Sequence, residues 1–313
     1  MQEPSSIAGT VLLASPRGWC AGVDRAVEIV ERALERYGPP VYVRKQIVHN
    51  LHVVRGLEAR GAVFVNGEEE VPEGAVCILS AHGVSPAVRQ NAAARRLDVI
   101  DATCPLVAKV HVEARRFAAA GRTIFLIGHA QHEEVEGTAG EAPAQTIVIE
   151  RPEDLDGAGV PERAPVAYLT QTTLAVDDTA EVVAALHQRF GDLVGPHRDD
   201  ICYASQNRQR AVKAIAGRSD VVLIVGSANS SNANRLVEVA QQVGTPARLV
   251  ENAAVADAAW LAGASVVGVS SGASTPEVLV EEVVAWLQTR GFGDVQEVTT
   301  GTEDVRFPLP EVG

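Results

Sequence analysis

Three cysteines, one in each third of the chain, are the residues best suited to chemistry. Cys20 lies in PRGWCAG, Cys104 in DATCPLV and Cys202 in DDICYAS, and each follows a short strand-like segment and precedes a helical pattern. Their separations match no short zinc or ferredoxin motif. If three equivalent strand ends meet, three thiolates leave a fourth metal position open, which favours catalysis. Soft thiolate ligands favour an iron–sulfur cluster, with zinc as the alternative, and the spacing does not separate the two.

Cys77 differs from the other cysteines, because it lies inside the apolar run AVCILS and is expected to be a core residue. We expect no disulfides, since the N-terminus lacks the basic start and apolar core of a signal peptide and indicates a reducing, cytoplasmic location. No apolar run is long enough to span a membrane. The formal net charge of -13 argues against nucleic-acid binding, although a donor-rich pocket can still hold a small anion.

Polar side chains that donate hydrogen bonds follow several strand-like runs. Histidines follow three of these runs, and Ser, Thr and Asn are dense in TQTT, GSANSSNANR and SSGAST. Helix capping explains one or two such residues, but this density predicts an anion site at helix N-termini. Because no nucleotide-binding glycine motif is present, a small phosphorylated or diphosphorylated ligand is favoured. The candidates are His49, His82, His129, His132, Glu133, Glu134, Thr170, Gln171, Thr172, Thr173, Ser227, Asn229, Ser230, Ser231, Asn232, Asn234, Ser270, Ser271, Ser274 and Thr275.

Six apolar runs, each followed by a helical pattern, must position these residues. Runs such as VVLIVG and TIFLIG show no polar alternation, as expected for strands of parallel sheets that helices cover on both faces. Ligands bind beyond the carboxyl ends of such strands. The runs group in pairs along the chain, which predicts an α/β protein with three similar small parallel-sheet domains. The expected segments are residues 1–103, 104–200 and 201–290, followed by a C-terminal strand and tail at 291–313. His52, His111, His187 and His197 lie outside the strand ends and are not site candidates.

Nine motifs carry the candidate residues in one fixed order. They are PRGWCAGVDRA, VHN, SAHGVS, DATCPLVAKVH, GHAQHEEVEGT, TQTTLAVDDT, DDICYASQNRQ, VGSANSSNANRL and GASTPE, and they span most of residues 10–290. This set closely resembles the 4-hydroxy-3-methylbut-2-enyl diphosphate reductase family. The resemblance implies a pseudo-threefold trefoil of three α/β domains around a central four-iron four-sulfur cluster. It also implies that Cys20, Cys104 and Cys202 bind the cluster, with one iron open to substrate, while Cys77 matches no family ligand.

The same resemblance implies a reaction and the roles of the loop residues. The family removes the terminal hydroxyl group of its diphosphate substrate reductively and produces isopentenyl and dimethylallyl diphosphate, the last step of the methylerythritol phosphate route to isoprenoids. An electron donor such as ferredoxin or flavodoxin is implied. Glu134 corresponds to the proton source, and Thr172 lies near the substrate hydroxyl group. The implied diphosphate-binding residues are His49, His82, His132, Ser230, Ser231, Asn232 and Ser274.

Two departures from the family pattern lie in these loops. Glu133 stands where the family usually has proline, which removes a φ restraint and adds a carboxylate, and Ala228 replaces a common lysine. Glu133 and Glu136 are either rival proton donors or solvent-facing charges. Two other protein classes remain open: a redox-inactive zinc hydrolase or cysteine-based racemase, and a non-catalytic phospholigand-binding or iron–sulfur sensor protein. Turnover with reduced viologen distinguishes these classes from a reductase.

Overall fold

The computed structural model describes residues 9–310 as a mixture of strands and helices. The N-terminal segment in which we expect no signal peptide, and the end of the predicted tail, lie outside these described residues. The strands are β1 (Thr10–Ser15), β2 (Val41–Arg44), β3 (Ala62–Val65), β4 (Val76–Leu79), β5 (Asp98–Asp101), β6 (Thr123–Ile127), β7 (Thr146–Ile149), β8 (Val166–Thr170), β9 (Leu193–Val194), β10 (Val221–Val225), β11 (Ala247–Val250), β12 (Val266–Ser271) and β13 (Asp294–Thr299). The α-helices are α1 (Ala21–Tyr37), α2 (Leu51–Ala59), α3 (Pro86–Ala94), α4 (Pro105–Ala119), α5 (Glu133–Ala139), α6 (Val176–Arg189), α7 (Tyr203–Ala216), α8 (Ser231–Gln242) and α9 (Glu277–Gln288). Between residues 9 and 310, none of the helices combines the length and apolar character of a transmembrane span.

The strands form three sheets in which every pairing is parallel. Sheet A has the order β11-β10-β12-β1-β13, sheet B the order β3-β2-β4-β5, and sheet C the order β7-β6-β8-β9. All six predicted apolar runs are strands, namely β1, β4, β6, β8, β10 and β12. The predicted fold class of three parallel-sheet α/β domains is therefore confirmed. Their pseudo-threefold arrangement around a central cluster stays a prediction.

The chain divides into two compact units. The sheet A unit contains residues 9–20 and 203–305, and the sheet B/C unit contains residues 21–202 and 306–310. The expected first domain, residues 1–103, includes β1. In the structure, however, β1 pairs with β12 and β13 of sheet A. Parallel strands are joined by long crossovers, so a strand's place along the chain does not determine its sheet. The other predicted boundaries stay predictions.

In the sheet A unit, helices cover both faces of the sheet. Leu12 of β1 lies in a buried cluster with Ile215 of α7 and Leu236 of α8. Its neighbour Val11 lies in a second cluster with Val283 of α9. Because side chains alternate in direction along a strand, a strand covered on both faces must be apolar throughout. This explains why β10 has the sequence VVLIV and all five of its residues are buried.

Sheet C, in the other unit, is also covered on both faces. Phe125 of β6 packs with Leu186 of α6, whereas its neighbour Leu126 packs with Val110 of α4. In sheet B of the same unit, Cys77 of β4 lies in a small core and is fully buried. The prediction that Cys77 is a core residue is therefore confirmed. The long helix α4 and the short helix α5 on sheet C carry several of the candidate site residues at their N-terminal ends.

Candidate functional site

Three histidines from different loops of the sheet B/C unit form a group that we call the imidazole cluster. His49 lies shortly before α2, His82 follows β4, and His132 is the N-cap residue of α5. The rings of His49 and His82 stack with their centroids 4.0 Å apart. The ring of His132 stands edge-on to both, at centroid distances of 5.3 and 5.8 Å. The structure thus brings together three residues that the sequence predicts as anion donors.

Burial keeps two of these imidazoles neutral. Burial, together with the proximity of His82 and His132, lowers the pKa of His49 to about 2. Burial and the proximity of His82 likewise lower the pKa of His132 to about 4. Near pH 7 both rings therefore act as hydrogen-bonding groups and not as fixed charges.

The position of His132 at the start of α5 determines which ring nitrogen carries its proton. Its Nδ1 accepts a hydrogen bond from the backbone N–H of Glu134 at 3.2 Å, so the proton of the neutral ring is on Nε2. Nε2 is buried and has no hydrogen-bond partner among the described residues. Such a buried donor is unfavourable for folding unless a ligand or water accepts a hydrogen bond from it. His132 therefore offers a buried donor suited to the predicted anion.

Glu134, the second residue of α5, is a buried carboxyl group held by the loop after β8. Its Oε1 accepts the backbone N–H of Thr172 at 2.6 Å, and its Oε2 accepts the Thr172 hydroxyl at 3.1 Å. Burial raises the pKa of Glu134 to about 7, against the lowering effect of the Thr172 hydrogen bonds and of His82. A carboxyl group that titrates near neutral pH can hold and release a proton where a reaction needs one.

Glu133, the first residue of α5, faces the imidazole cluster. Its Oε2 lies 3.2 Å from Nδ1 of His82, and its side chain is 21% exposed. Burial acts to raise the pKa of Glu133, but the contact with His82 and the proximity of Lys45 and His132 outweigh it and keep the pKa below its ordinary value. Glu133 is thus an ionised carboxylate beside the predicted anion donors, and not the solvent-facing charge that was one expectation. Its place next to His132 at a helix start is the sequence signal that could have indicated this.

Each of the three candidate ligand cysteines directly precedes the first residue of a helix. Cys20 precedes α1, Cys104 is the N-cap residue of α4, and Cys202 precedes α7. The N-terminal end of a helix carries partial positive charge, which suits an anionic thiolate ligand. Between residues 9 and 310 the cysteines form no disulfide. Cys77 contrasts with these three, because burial and the charge of Glu68 raise the pKa of its thiol to about 11.

Backbone hydrogen bonds connect two of these cysteines to the loops of the imidazole cluster and of Glu134. The N–H of Cys104 donates to the carbonyl oxygen of Ala81, the residue before His82, at 2.9 Å. The N–H of Cys202 donates to the carbonyl oxygen of Thr172 at 3.0 Å. Within the sheet B/C unit, the candidate metal ligands and the candidate substrate-binding residues therefore belong to one hydrogen-bonded framework.

The Ser and Asn residues predicted to bind an anion lie in the sheet A unit. Ser230 is the N-cap residue of α8, and its hydroxyl oxygen accepts the backbone N–H of Ala233 at 3.2 Å. The side chain of Asn232 accepts the N–H of Ala273 at 2.8 Å and donates to the hydroxyl oxygen of Ser205 at 3.2 Å. Helix capping by Ser230 and the loop contacts of Asn232 therefore account for much of the hydrogen bonding of these two side chains.

The loop after β12 joins the remaining Ser residues to Cys20. Ser274 is buried in this loop, and Ser231 begins α8. The backbone N–H of Cys20 donates to the carbonyl oxygen of Ala273 at 3.2 Å. Ser270, at the end of β12, is buried with a hydroxyl oxygen that has no partner in the described part of the chain. The sheet A unit thus combines one candidate metal ligand with the second group of predicted anion donors.

Arg208, which is not predicted as a site residue, holds the turn before Cys20. Its buried guanidinium donates to the carbonyl oxygens of Gly18 at 2.6 Å and Trp19 at 3.1 Å. The carboxylate of Glu303 neutralises it at 3.0 Å. Gly18 has a φ of +66°, and a Cβ there would lie 3.2 Å from a backbone carbonyl oxygen, so the turn requires glycine. Arg208 is therefore a structural support for Cys20.

His111, which the sequence places outside the strand ends, supports the loop of His82. Its Nδ1 lies 2.8 Å from Oε1 of Glu141. A Cβ at Gly83 would lie 2.9 Å from Nε2 of His111, and Gly83 has a φ of +76°, so the loop approaches His111 closely. The remaining histidines predicted to lie outside the site, His52, His187 and His197, are exposed.

The fold and these groups define a parallel-sheet α/β protein with a buried glutamate whose pKa is about 7, a cluster of three imidazoles and three thiols at helix starts. A family model described as LytB protein matches residues 11–288. The chain belongs to the LytB protein family.

Similar proteins with established names agree with this family. The 4-hydroxy-3-methylbut-2-enyl diphosphate reductase of Acidothermus cellulolyticus is 58% identical over 96% of this chain and 88% of its own length. The reductase of the same name from Corynebacterium diphtheriae is 59% identical over 98% and 93%. The solved structure of the E-1-hydroxy-2-methyl-but-2-enyl-4-diphosphate reductase from Plasmodium falciparum matches 97% of this chain and 96% of its own, with a TM-score of 0.94 and 39% identity. The resemblance seen in the motifs is confirmed.

Proposed function

We propose that this member of the LytB family is an iron–sulfur oxidoreductase that acts on 4-hydroxy-3-methylbut-2-enyl diphosphate. It removes the terminal hydroxyl group and produces isopentenyl and dimethylallyl diphosphate, the last step of the methylerythritol phosphate route. The observation that carries the proposal is the buried Glu134–Thr172 pair, whose carboxyl group has a pKa of about 7. The imidazole cluster lies in the same unit, so a proton source accompanies a group of anion donors. The identity to the named relatives, 58% and 59%, supports the same substrate.

The reaction consumes two electrons and two protons. The bond between the terminal carbon and its hydroxyl oxygen breaks, and one proton converts the departing hydroxyl group into water. The second proton is added to one or the other end of the allylic fragment, which yields one or the other product. A one-electron donor such as ferredoxin or flavodoxin supplies the electrons singly.

Cys20, Cys104 and Cys202 are the proposed ligands of a four-iron four-sulfur cluster. The donor set fits this cofactor, since thiolates are its usual protein ligands and each of these cysteines stands at the start of a helix. Three ligands leave one iron without a cysteine. When bound, such a cluster supplies a Lewis-acid iron and a one-electron relay. Cys77 does not fit this role, because its thiol is buried in a core and its pKa is raised to about 11.

The imidazole cluster is the proposed anchor for the diphosphate group. His132 offers the buried Nε2–H that has no partner in the described region, and the rings of His49 and His82 lie beside it. A bound anion opposes the effects that lower the pKa of His49, so diphosphate favours its protonated, doubly donating form. His132 donates through Nε2 alone, because its Nδ1 accepts the hydrogen bond from the N–H of Glu134. Further hydroxyl and amide donors are proposed from Ser230, Ser231, Asn232 and Ser274.

Glu134 is the proposed proton source, with Thr172 between it and the substrate. At neutral pH a group with a pKa of about 7 is partly protonated, so Glu134 carries a proton that it can release. The Thr172 hydroxyl lies 3.1 Å from Oε2 of Glu134 and both donates and accepts hydrogen bonds. Thr172 can therefore orient the substrate hydroxyl group and pass a proton to it as the C–O bond breaks.

An anaerobic turnover assay tests this function. Protein purified without oxygen is mixed with the substrate and reduced methyl viologen, and the two product diphosphates are quantified. We expect both products, and we expect inorganic diphosphate to compete with the substrate. A protein that contains iron and acid-labile sulfide but yields no product would overturn the proposed reaction. Equal binding of the diphosphate-free alcohol would instead overturn the proposed diphosphate anchor.

A further inference from the structure

Two members of the imidazole cluster and Glu133 form a second possible ligand set. His49, His82 and Glu133 each place one ligand atom so that the three atoms lie within 4.8 Å of one another. They come from three separate segments of the sheet B/C unit, the loop before α2, the loop after β4 and the first residue of α5. None of them is assigned to a metal in the function proposed above.

The chemistry of this set matches one class of ligand. Two imidazoles and a carboxylate are the ligands of many zinc sites, which keep a fourth position open. Two ligands on one tetrahedral Zn²⁺ lie about 3.4 Å apart, given bond lengths of about 2.0–2.1 Å. Nδ1 of His82 and Oε2 of Glu133 are already 3.2 Å apart, and the rings of His49 and His82 stack at a centroid distance of 4.0 Å. Because the lone pair of an imidazole nitrogen lies in the ring plane, the stacked rings of His49 and His82 must turn relative to each other before both nitrogens face one ion. The three ligand atoms, within 4.8 Å of one another, are close enough for such a reorientation to bring them onto it.

The charge and access of the set also favour a cation. The side chains of His82 and Glu133 are 13% and 21% exposed, so an ion can reach them without unfolding of the protein. Glu133 places a carboxylate beside imidazoles that otherwise serve an anion, an arrangement that repels diphosphate. A divalent cation between the carboxylate and the imidazoles removes this conflict. We propose that His49, His82 and Glu133 bind a divalent transition metal ion, for which Zn²⁺ is the best match, in the substrate-free protein.

This metal site has a consequence for the reaction, and only that consequence rests on the proposed function. An imidazole nitrogen that binds a metal ion cannot donate a hydrogen bond to a phosphate oxygen. Zn²⁺ and the diphosphate group compete where they use the same ring nitrogens of His49 and His82, so we expect Zn²⁺ to raise KM through a site that depends on Glu133.

Calorimetric titration of the cluster-containing protein with Zn²⁺ tests the metal site. The protein is treated with a chelator, desalted and titrated anaerobically as wild type, Glu133→Gln and Glu136→Gln. Glu136 is an exposed carboxylate on the same helix, so it is the matched control for loss of one negative charge. We expect one site per chain in the wild type and in Glu136→Gln, and at least about tenfold weaker binding in Glu133→Gln, since one of three ligands is lost. His82→Asn provides a second variant with the same expected loss, and thermal unfolding identifies any variant that does not fold.

Two results would overturn the metal site: no specific Zn²⁺ binding by the wild type, or equal affinity in Glu133→Gln and Glu136→Gln. Because the titration contains neither substrate nor reductant, it reports on the site even if the proposed reaction fails. In the turnover assay, Zn²⁺ should raise KM in the wild type and in Glu136→Gln, and much less in Glu133→Gln. Direct binding of Zn²⁺ to the substrate affects all three proteins equally. Equal inhibition of all three would overturn the competition.

Discussion

The imidazole cluster and the Ser/Asn loops, which carry Ser230, Ser231, Asn232 and Ser274, both contain side chains that can donate hydrogen bonds. Contacts within the fold explain the Ser/Asn loops better than the imidazole cluster. Ser230 caps α8 and Asn232 bridges two loops, so both side chains stabilise the protein without a ligand. His132 keeps a buried donor that has no partner within the described residues, and burial lowers the pKa of His49 to about 2. The buried donor of His132 is therefore unfavourable for folding unless a ligand or water accepts its hydrogen bond. Residues that the fold does not need are the clearest indicators of a site.

The largest expected effect is the loss of turnover when Glu134 is replaced. Burial of this carboxyl group in its ionised form is also unfavourable for folding. Glu134→Gln keeps the size of the side chain and can still accept a hydrogen bond from Thr172, but it carries no transferable proton. Turnover should fall about a hundredfold or more, the usual contribution of general acid catalysis. Iron content should not change, because Glu134 is not a proposed ligand. Viologen-driven turnover and iron analysis of this variant measure both effects.

Two neighbouring carboxylates serve as controls for Glu134. Glu136→Gln changes an exposed group and should turn over normally. Glu133→Gln should have a mild effect on turnover in the absence of added metal. If Glu133→Gln is inactive while Glu134→Gln turns over normally, the proton source has been assigned to the wrong residue.

The raised pKa of Glu134 also predicts a pH-dependent stability. The pKa is about 7 in the folded protein against an ordinary value of 4.5, so the folded state binds the proton more tightly and the contribution of Glu134 to stability falls as pH rises between these values. Above that range the ionised group destabilises the fold by up to about 3 kcal/mol. Denaturant unfolding at about pH 5 and about pH 8 should therefore show a relative gain for Glu134→Gln at the higher pH. The same difference from wild type at both pH values would argue against a raised pKa.

His132→Asn should have a smaller effect, confined to binding. An Asn side chain can still accept the N–H of Glu134 and cap α5, but it lacks the buried Nε2 donor. We expect KM to rise about tenfold, or about 1.4 kcal/mol, as for the loss of one hydrogen bond, with little change in the free energy of unfolding. Steady-state kinetics and denaturant unfolding measure the two quantities. A loss of stability without a change in KM would make His132 a structural residue.

Ser230→Ala is the matched change in the Ser/Asn loops, and it should have the smallest effect on binding. It removes the cap of α8, so the free energy of unfolding should fall by about 1 kcal/mol. KM should rise less than in His132→Asn, because the hydroxyl group already serves the helix. If KM rises more than in His132→Asn while stability is unchanged, the Ser/Asn loops are the principal anchor and the comparison is reversed.

Much of the fold could be predicted because the six principal strands are continuous apolar runs. Strands such as β3 (AVFV) and β5 (DVID) could not, since four residues with exposed positions resemble ordinary loop sequence. The pairing of β1 with β12 and β13 joins opposite ends of the chain, as in Thr10 beside Val266, and no local pattern contains that information.

The candidate site divides in the same way. The sequence could indicate His49, His82 and Glu134 as candidates, because they follow strand ends, where parallel sheets bind ligands. The roles of Glu133 and Arg208 could not be predicted, because they depend on tertiary contacts: Glu133 with the ring of His82, and Arg208 with the turn before Cys20. The tertiary contacts of Glu133 and Arg208, and not their residue types, determine their roles.

The central claim, an iron–sulfur enzyme with three cysteine ligands, is tested most directly by iron and acid-labile sulfide analysis. Wild type and single Cys→Ser variants at Cys20, Cys77, Cys104 and Cys202 are purified without oxygen and assayed for both elements. We predict a brown wild-type protein, loss of most iron and sulfide in the variants at Cys20, Cys104 and Cys202, and full content in Cys77→Ser, whose thiol is buried in the core. A colourless, iron-free protein that still turns over the substrate would contradict the account.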